Sequence, residues 1–114
     1  MLKLAVLGAA GRMGRAVLSC ALEASDVTIV GAVTEPKDAL LGRDAGELAG
    51  GDSIGVPLTD ERSQALHAAQ VAVDFTLPTV TEANLRACVE QGTALVIGTT
   101  GLETRQVKAM EKAA

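Results

Sequence analysis

Three glycines, Gly8, Gly11 and Gly14, stand three residues apart between a short apolar run and a stretch of helical periodicity. Each answers a different demand. A chain that leaves a strand for a helix needs a tight turn, which Gly8 permits. The main chain at the helix start must be bare if another group is to approach it, which Gly11 permits. The helix must lie close on the sheet, which Gly14 permits. The first turn of such a helix offers unpaired N–H groups and the positive end of its dipole, a combination suited to phosphate. The pattern is G-x-x-G-x-x-G, with Ala10 where the commoner motif has its middle glycine. A simple tight turn is the alternative for glycines alone. The strand before and the helix after argue for the phosphate loop.

Alternation continues down the chain. Residues Leu2–Leu7 read as strand one, and residues 12–24 as a helix, with Met13, Val17 and Ala21 at helical spacing. Val27–Val33, rich in β-branched residues, reads as strand two. Residues 36–55 carry five glycines and read as a mobile loop. Residues 54–58 read as a short third strand, placed at an edge by Pro57. Asp60 reads as the N-cap of a helix over residues 61–69. Residues 71–75 form strand four. Pro78 suits the first turn of a helix to Gln91, which Gly92 stops. Ala94–Ile97 forms strand five, and residues 102–112 a last helix. This pattern predicts one α/β domain: a doubly wound parallel sheet of Rossmann type, in the order 3-2-1-4-5, with ligands at the carboxyl ends of the strands.

Phe75 is the only aromatic residue, so the core must be built from Val, Leu, Ile and Ala, as in a parallel sheet buried on both faces. A net charge of −4 and no basic stripe argue against a nucleic-acid partner. No apolar run approaches the roughly 20 residues that span a bilayer, and the opening apolar residues are too few for a signal peptide. A cytoplasmic protein is the expectation. Cys20 and Cys88 belong to no C-x-x-C pair and read as small buried apolar residues of a reducing compartment. The alternative, a catalytic thiol, lacks a neighbouring His. His67 has no partners at metal spacing and reads as a surface or half-buried residue.

Glu35 lies just past strand two, 21 residues beyond Gly14. That spacing suits an acid hydrogen-bonded to an adenosine ribose, and its charge would favour NADH over NADPH; an exposed loop acid is the alternative. Lys37 could meet a 2′-phosphate as a point charge. Arg12 reads either as a phosphate contact or as a solvated helix start. Gly98, Thr99 and Thr100 follow strand five and read as donors to a nicotinamide ribose or amide, or as a turn with Thr100 capping. Asp74 reads as a loop tether before an acid, and Phe75 equally as core or as a cofactor wall.

Four segments in order carry a resemblance: Gly-Ala-Ala-Gly-Arg-Met-Gly-Arg at 8–15, Leu-Leu-Gly-Arg-Asp-Ala-Gly-Glu-Leu at 40–48, Val-Asp-Phe-Thr at 73–76 and Val-Ile-Gly-Thr-Thr-Gly at 96–101. Together they resemble the 4-hydroxy-tetrahydrodipicolinate reductases, formerly dihydrodipicolinate reductases, over nearly the whole chain. The resemblance implies hydride transfer from NADH or NADPH to a cyclic dicarboxylate on the diaminopimelate route to lysine. It implies a cofactor loop at Gly8, Ala9, Ala10, Gly11, Arg12 and Met13, a ribose acid at Glu35, and a nicotinamide loop at Gly98, Thr99 and Thr100. Pro36 stands where many members have a basic residue, which points to NADH. The family's His-His motif, its Lys proton donor and its Ser-Gly-Thr segment do not occur in these 114 residues. The expectation is therefore a cofactor-binding piece of a longer protein, homotetrameric when whole, with no reductase activity of its own. A sheet edge left open by the missing part could pair between chains. Two other readings stay open: half of an aspartate- or homoserine-type dehydrogenase, and a stand-alone NAD(H)-sensing module without catalysis.

Overall fold

The computed structural model describes residues 2–76 and 78–97. Eight elements follow in order: β1 Leu2–Leu7, α1 Arg12–Glu23, β2 Val27–Val33, α2 Ala45–Leu48, α3 Arg62–Leu66, β3 Val71–Asp74, α4 Pro78–Gln91 and β4 Ala94–Ile97. The helix expected over 102–112 lies outside the described residues. The strands form one parallel sheet in the order β2-β1-β3-β4. This is the Rossmann-type α/β arrangement, with α1 and α2 on one face and α3 and α4 on the other.

The period of two along β1 builds both faces. Leu4 and Val6 join Leu18 and Ala21 of α1, Ile29 and Ala45 in one core. Ala5 and Leu7 join Ala65 and Leu66 of α3 with Ala87 and Cys88 of α4 in the other. Gly31 of β2 lets α3 sit directly on the sheet, since a Cβ there would meet the Ala65 carbonyl oxygen at 2.3 Å. Gly92, at φ 68°, ends α4 as its position after Gln91 predicts.

Three sequence expectations over residues 36–69 need correction. The third strand is not a strand. Thr59 alone bridges to Val33 of β2, and Pro57 makes an isolated antiparallel bridge to Asp44. The reason is competition for backbone donors. The Asp44 carboxylate accepts from Ile54 N–H (3.0 Å) and Val56 N–H (3.0 Å), so these cannot serve a ladder, and Pro57 has none to offer. Asp44 also caps α2 by accepting from Glu47 N–H at 3.1 Å. Residues 36–55, read as a mobile loop, thus contain a helix and a hydrogen-bonded turn organised by one side chain. The helix after it is also shorter than expected. Its N-cap is Glu61 rather than Asp60, with no side-chain cap bond, and Thr59 Oγ1 instead accepts from Glu61 N–H at 3.1 Å.

Among the described residues no helix is long and apolar enough to cross a membrane. Cys88 is buried as expected. Cys20 is exposed on α1, contrary to expectation, because it lies off the Gly14, Leu18, Ala21 stripe that faces the sheet.

Candidate functional site

The parallel register brings the carboxyl ends of the strands to one rim: Leu7 pairs with both Val33 and Asp74, and Asp74 with Ile97. A cleft of about 670 Å³ opens along it. Gly8, Ala10 and Gly11 form its floor, Thr34, Glu35, Pro36 and Asp38 its β2 side, and Phe75, Thr76 and Asn84 its β3 side.

The glycine loop is held to the sheet by its own backbone. The N–H groups of Gly8 and Ala9 both donate to the Val33 carbonyl at 2.9 Å. Gly8 sits at φ 83°, and a Cβ on it would approach the Phe75 carbonyl carbon to 3.1 Å. Gly14 is closed more tightly: its Cβ would lie 2.1 Å from the Gly8 oxygen. Gly11 differs from both. Its φ is −76°, and a Cβ would meet only the Gly8 oxygen at 3.5 Å. Neither conformation nor packing requires glycine there. Gly11 is also the N-cap of α1, with no side chain capping the helix. The main chain is bare where Gly11 lines the cleft at the start of α1, and a helix start of this kind fits a phosphate.

Of the residues predicted for a cofactor, Gly8, Ala10, Gly11, Glu35 and Phe75 line this cleft. Ala9 does not: it is fully buried in the core. Arg12 and Met13 point elsewhere, exposed on the first turn of α1, and Arg15 instead returns to the loop with Nε donating to the Ala10 carbonyl at 3.1 Å. Gly98, Thr99 and Thr100 lie outside the described residues.

The sequence reading missed several lining residues, among them Thr34, Asp38, Arg62 and Asn84. Thr34 Oγ1 donates to Asp38 Oδ2 at 2.7 Å, and Leu40 N–H donates to Asp38 Oδ1 at 2.8 Å. These bonds, from Leu40 and then Thr34, hold the Asp38 carboxyl below the usual range against the effect of burial, and the charge of Arg15 adds to them. On the other side, buried Asp74 accepts from Thr76 N–H (2.7 Å) and Thr76 Oγ1, as its reading as a tether implies. Asn84 donates from Nδ2 to Asp74 Oδ2 at 3.1 Å and to Thr76 Oγ1 at 2.9 Å, and its Oδ1 accepts from Arg62 Nε. The signal for Asn84 was a polar residue in the Val80, Asn84, Ala87, Cys88 stripe of α4. Burial, then the Asp74 charge, pushes the Cys88 thiol up to about 11. Among the described residues no cluster of His, Cys, Asp or Glu could hold a metal ion.

A family model for the N-terminus of dihydrodipicolinate reductase matches residues 2–114. The chain belongs to that family. Its relatives are full reductases. The 4-hydroxy-tetrahydrodipicolinate reductase of Alkalilimnicola ehrlichii is 48% identical over 112 residues, covering 98% of this chain and 42% of that protein. The enzyme of Chromohalobacter salexigens is 41% identical over 111 residues, covering 97% and 41%. The chain thus spans about two fifths of the length of the curated relatives it matches. Among solved structures, a dipicolinate-bound dihydrodipicolinate reductase from Paenisporosarcina sp. TG-14 superposes with a TM-score of 0.75 at 22% identity, over 99% of this chain and 43% of that one. An amine dehydrogenase from Mycobacterium smegmatis superposes with a TM-score of 0.71 at 29% identity, over 84% and 29%.

Proposed function

We propose that this chain is the NAD(P)H-binding domain of a 4-hydroxy-tetrahydrodipicolinate reductase in the diaminopimelate route to lysine, in the cytoplasm. The observation that carries the reading is the bare, uncapped start of α1 at the floor of the cleft. The pyrophosphate lies against bare Gly11 and rests on the N–H groups of the first turn of α1, since the Gly11 N–H itself donates to the Gly8 carbonyl at 3.2 Å. The ribose hydroxyls meet carboxylate at the end of β2, where Glu35 and Asp38 both line the cleft and their charge disfavours a 2′-phosphate, so NADH is preferred. Phe75 walls the β3 side, and the family resemblance assigns the nicotinamide to Gly98, Thr99 and Thr100. The bound cofactor supplies the hydride; this domain binds and orients it.

Substrate capture and proton delivery reside in the further length the relatives have, and the homotetramer forms there. These 114 residues therefore bind cofactor without turning over the cyclic substrate. Support comes from family membership and from the dehydrogenases among the structural neighbours, one of them an aspartate semialdehyde dehydrogenase solved with NADP. Titration calorimetry tests the reading: saturable, one-to-one NADH binding is expected, and no heat with either dinucleotide at millimolar concentration refutes it.

A further inference from the structure

Two carboxylates reach the cleft from the end of β2, and they are built differently. Glu35 is exposed. Asp38 is brought back to the strand end by the turn over 35–38, in which its N–H donates to the Glu35 carbonyl at 3.2 Å and Lys37 takes φ 69°. Thr34, whose hydroxyl aims the Asp38 carboxylate, is itself buried, and its N–H donates to the Thr59 carbonyl at 2.9 Å. The Asp38 carboxylate is therefore fixed relative to β2, and lines the same cleft as the glycine loop.

Resting on the dinucleotide reading above, we propose that Asp38, ahead of Glu35, recognises the unmodified adenosine ribose and excludes one carrying a 2′-phosphate. A carboxylate has about four lone-pair sites. Thr34 and Leu40 occupy two, leaving acceptors for ribose hydroxyls. A side chain already held in place loses little freedom when it meets a ligand, whereas Glu35 must be immobilised first. Fixed charge also cannot swing away from a phosphate.

The test is fluorescence titration of the 114-residue chain with NADH and NADPH, for the wild type and for Asp38→Asn, Asp38→Ser, Thr34→Val and Glu35→Gln. Asp38→Asn keeps an acceptor for Leu40 and removes the charge, while its amide NH2 turns to Thr34 Oγ1, which can accept. It is expected to weaken NADH binding about tenfold and to shift the affinity ratio toward NADPH by about tenfold or more. Asp38→Ser should shift it in the same direction, which keeps the test open if the asparagine variant does not fold. Thr34→Val, which misaims the carboxylate but keeps its charge, should shift it less. Glu35→Gln should move it by under about threefold. If Asp38 only braces the loop, both affinities fall together and the ratio holds. That result, or a larger ratio shift in Glu35→Gln than in Asp38→Asn, overturns the proposal. A wild type that binds neither dinucleotide overturns the cofactor reading, and this proposal with it.

Discussion

Gly11 and Gly14 look alike in sequence but answer to different constraints. At Gly14 a methyl group would sit 2.1 Å from the Gly8 oxygen, so Gly14→Ala must push α1 off the sheet. The loss should exceed the roughly 1 kcal/mol by which alanine outranks glycine in a helix, giving a net drop in stability on urea denaturation. At Gly11 the methyl has room. Gly11→Ala should keep stability within about 0.5 kcal/mol while dinucleotide affinity falls. The opposite pattern would assign the cradle to the wrong glycine. The cysteines also separate. Exposed Cys20 should react with a thiol reagent in the native protein, and Cys88, buried and raised to about 11, should react only after unfolding. The three glycine roles were legible because spacing and flanking periodicity encode them. The exposure of Cys20 was not, since residue type does not say which helix face is buried, whereas Cys88 is buried as read. Asp38 was hidden for a related reason: its place at the rim depends on a turn and on a hydroxyl supplied by Thr34.

At the scale of elements, the sheet-facing stripe of α1 carries the helix. Leu18 is fully buried between α1 and β1, so Leu18→Ala should cost about 2–5 kcal/mol by denaturant titration. Residues 42–58 depend on Asp44. Burial raises its carboxyl, but the N–H groups of Ile54, Glu47, Val56 and Gly46 together outweigh that and bring it below the ordinary value. A carboxyl lowered by folding contributes stability above its unfolded pKa and loses it as pH falls through the folded one. Asp38 is lowered in the same sense. Melting temperature should therefore drop as pH falls through and below about 3.9, and Asp44→Asn should flatten that decline. An unchanged acid profile in the variant would remove Asp44 from its organising role. The helices and four strands with strong periodicity were readable from sequence, including the stop at Gly92. Residues 36–58 were not, because one side chain there takes the donors that a strand would use, and no local pattern announces it.

For the whole molecule, sheet order and strand register matter more than any one contact. They place the ends of β1, β2 and β3 on one rim, so that residues far apart in sequence, Gly11, Asp38 and Phe75, share a cleft. Binding there stabilises the folded state by mass action, about 2.7 kcal/mol at a hundredfold excess over Kd, and should raise the melting temperature in proportion. The most direct measurement is an amide-resolved NMR titration of the chain with NADH. The account predicts the largest shifts at the N–H groups of Arg12, Met13 and Gly14, the first-turn donors beside bare Gly11. Shifts confined to other faces of the sheet, with residues 8–14 unmoved at saturation, would contradict it.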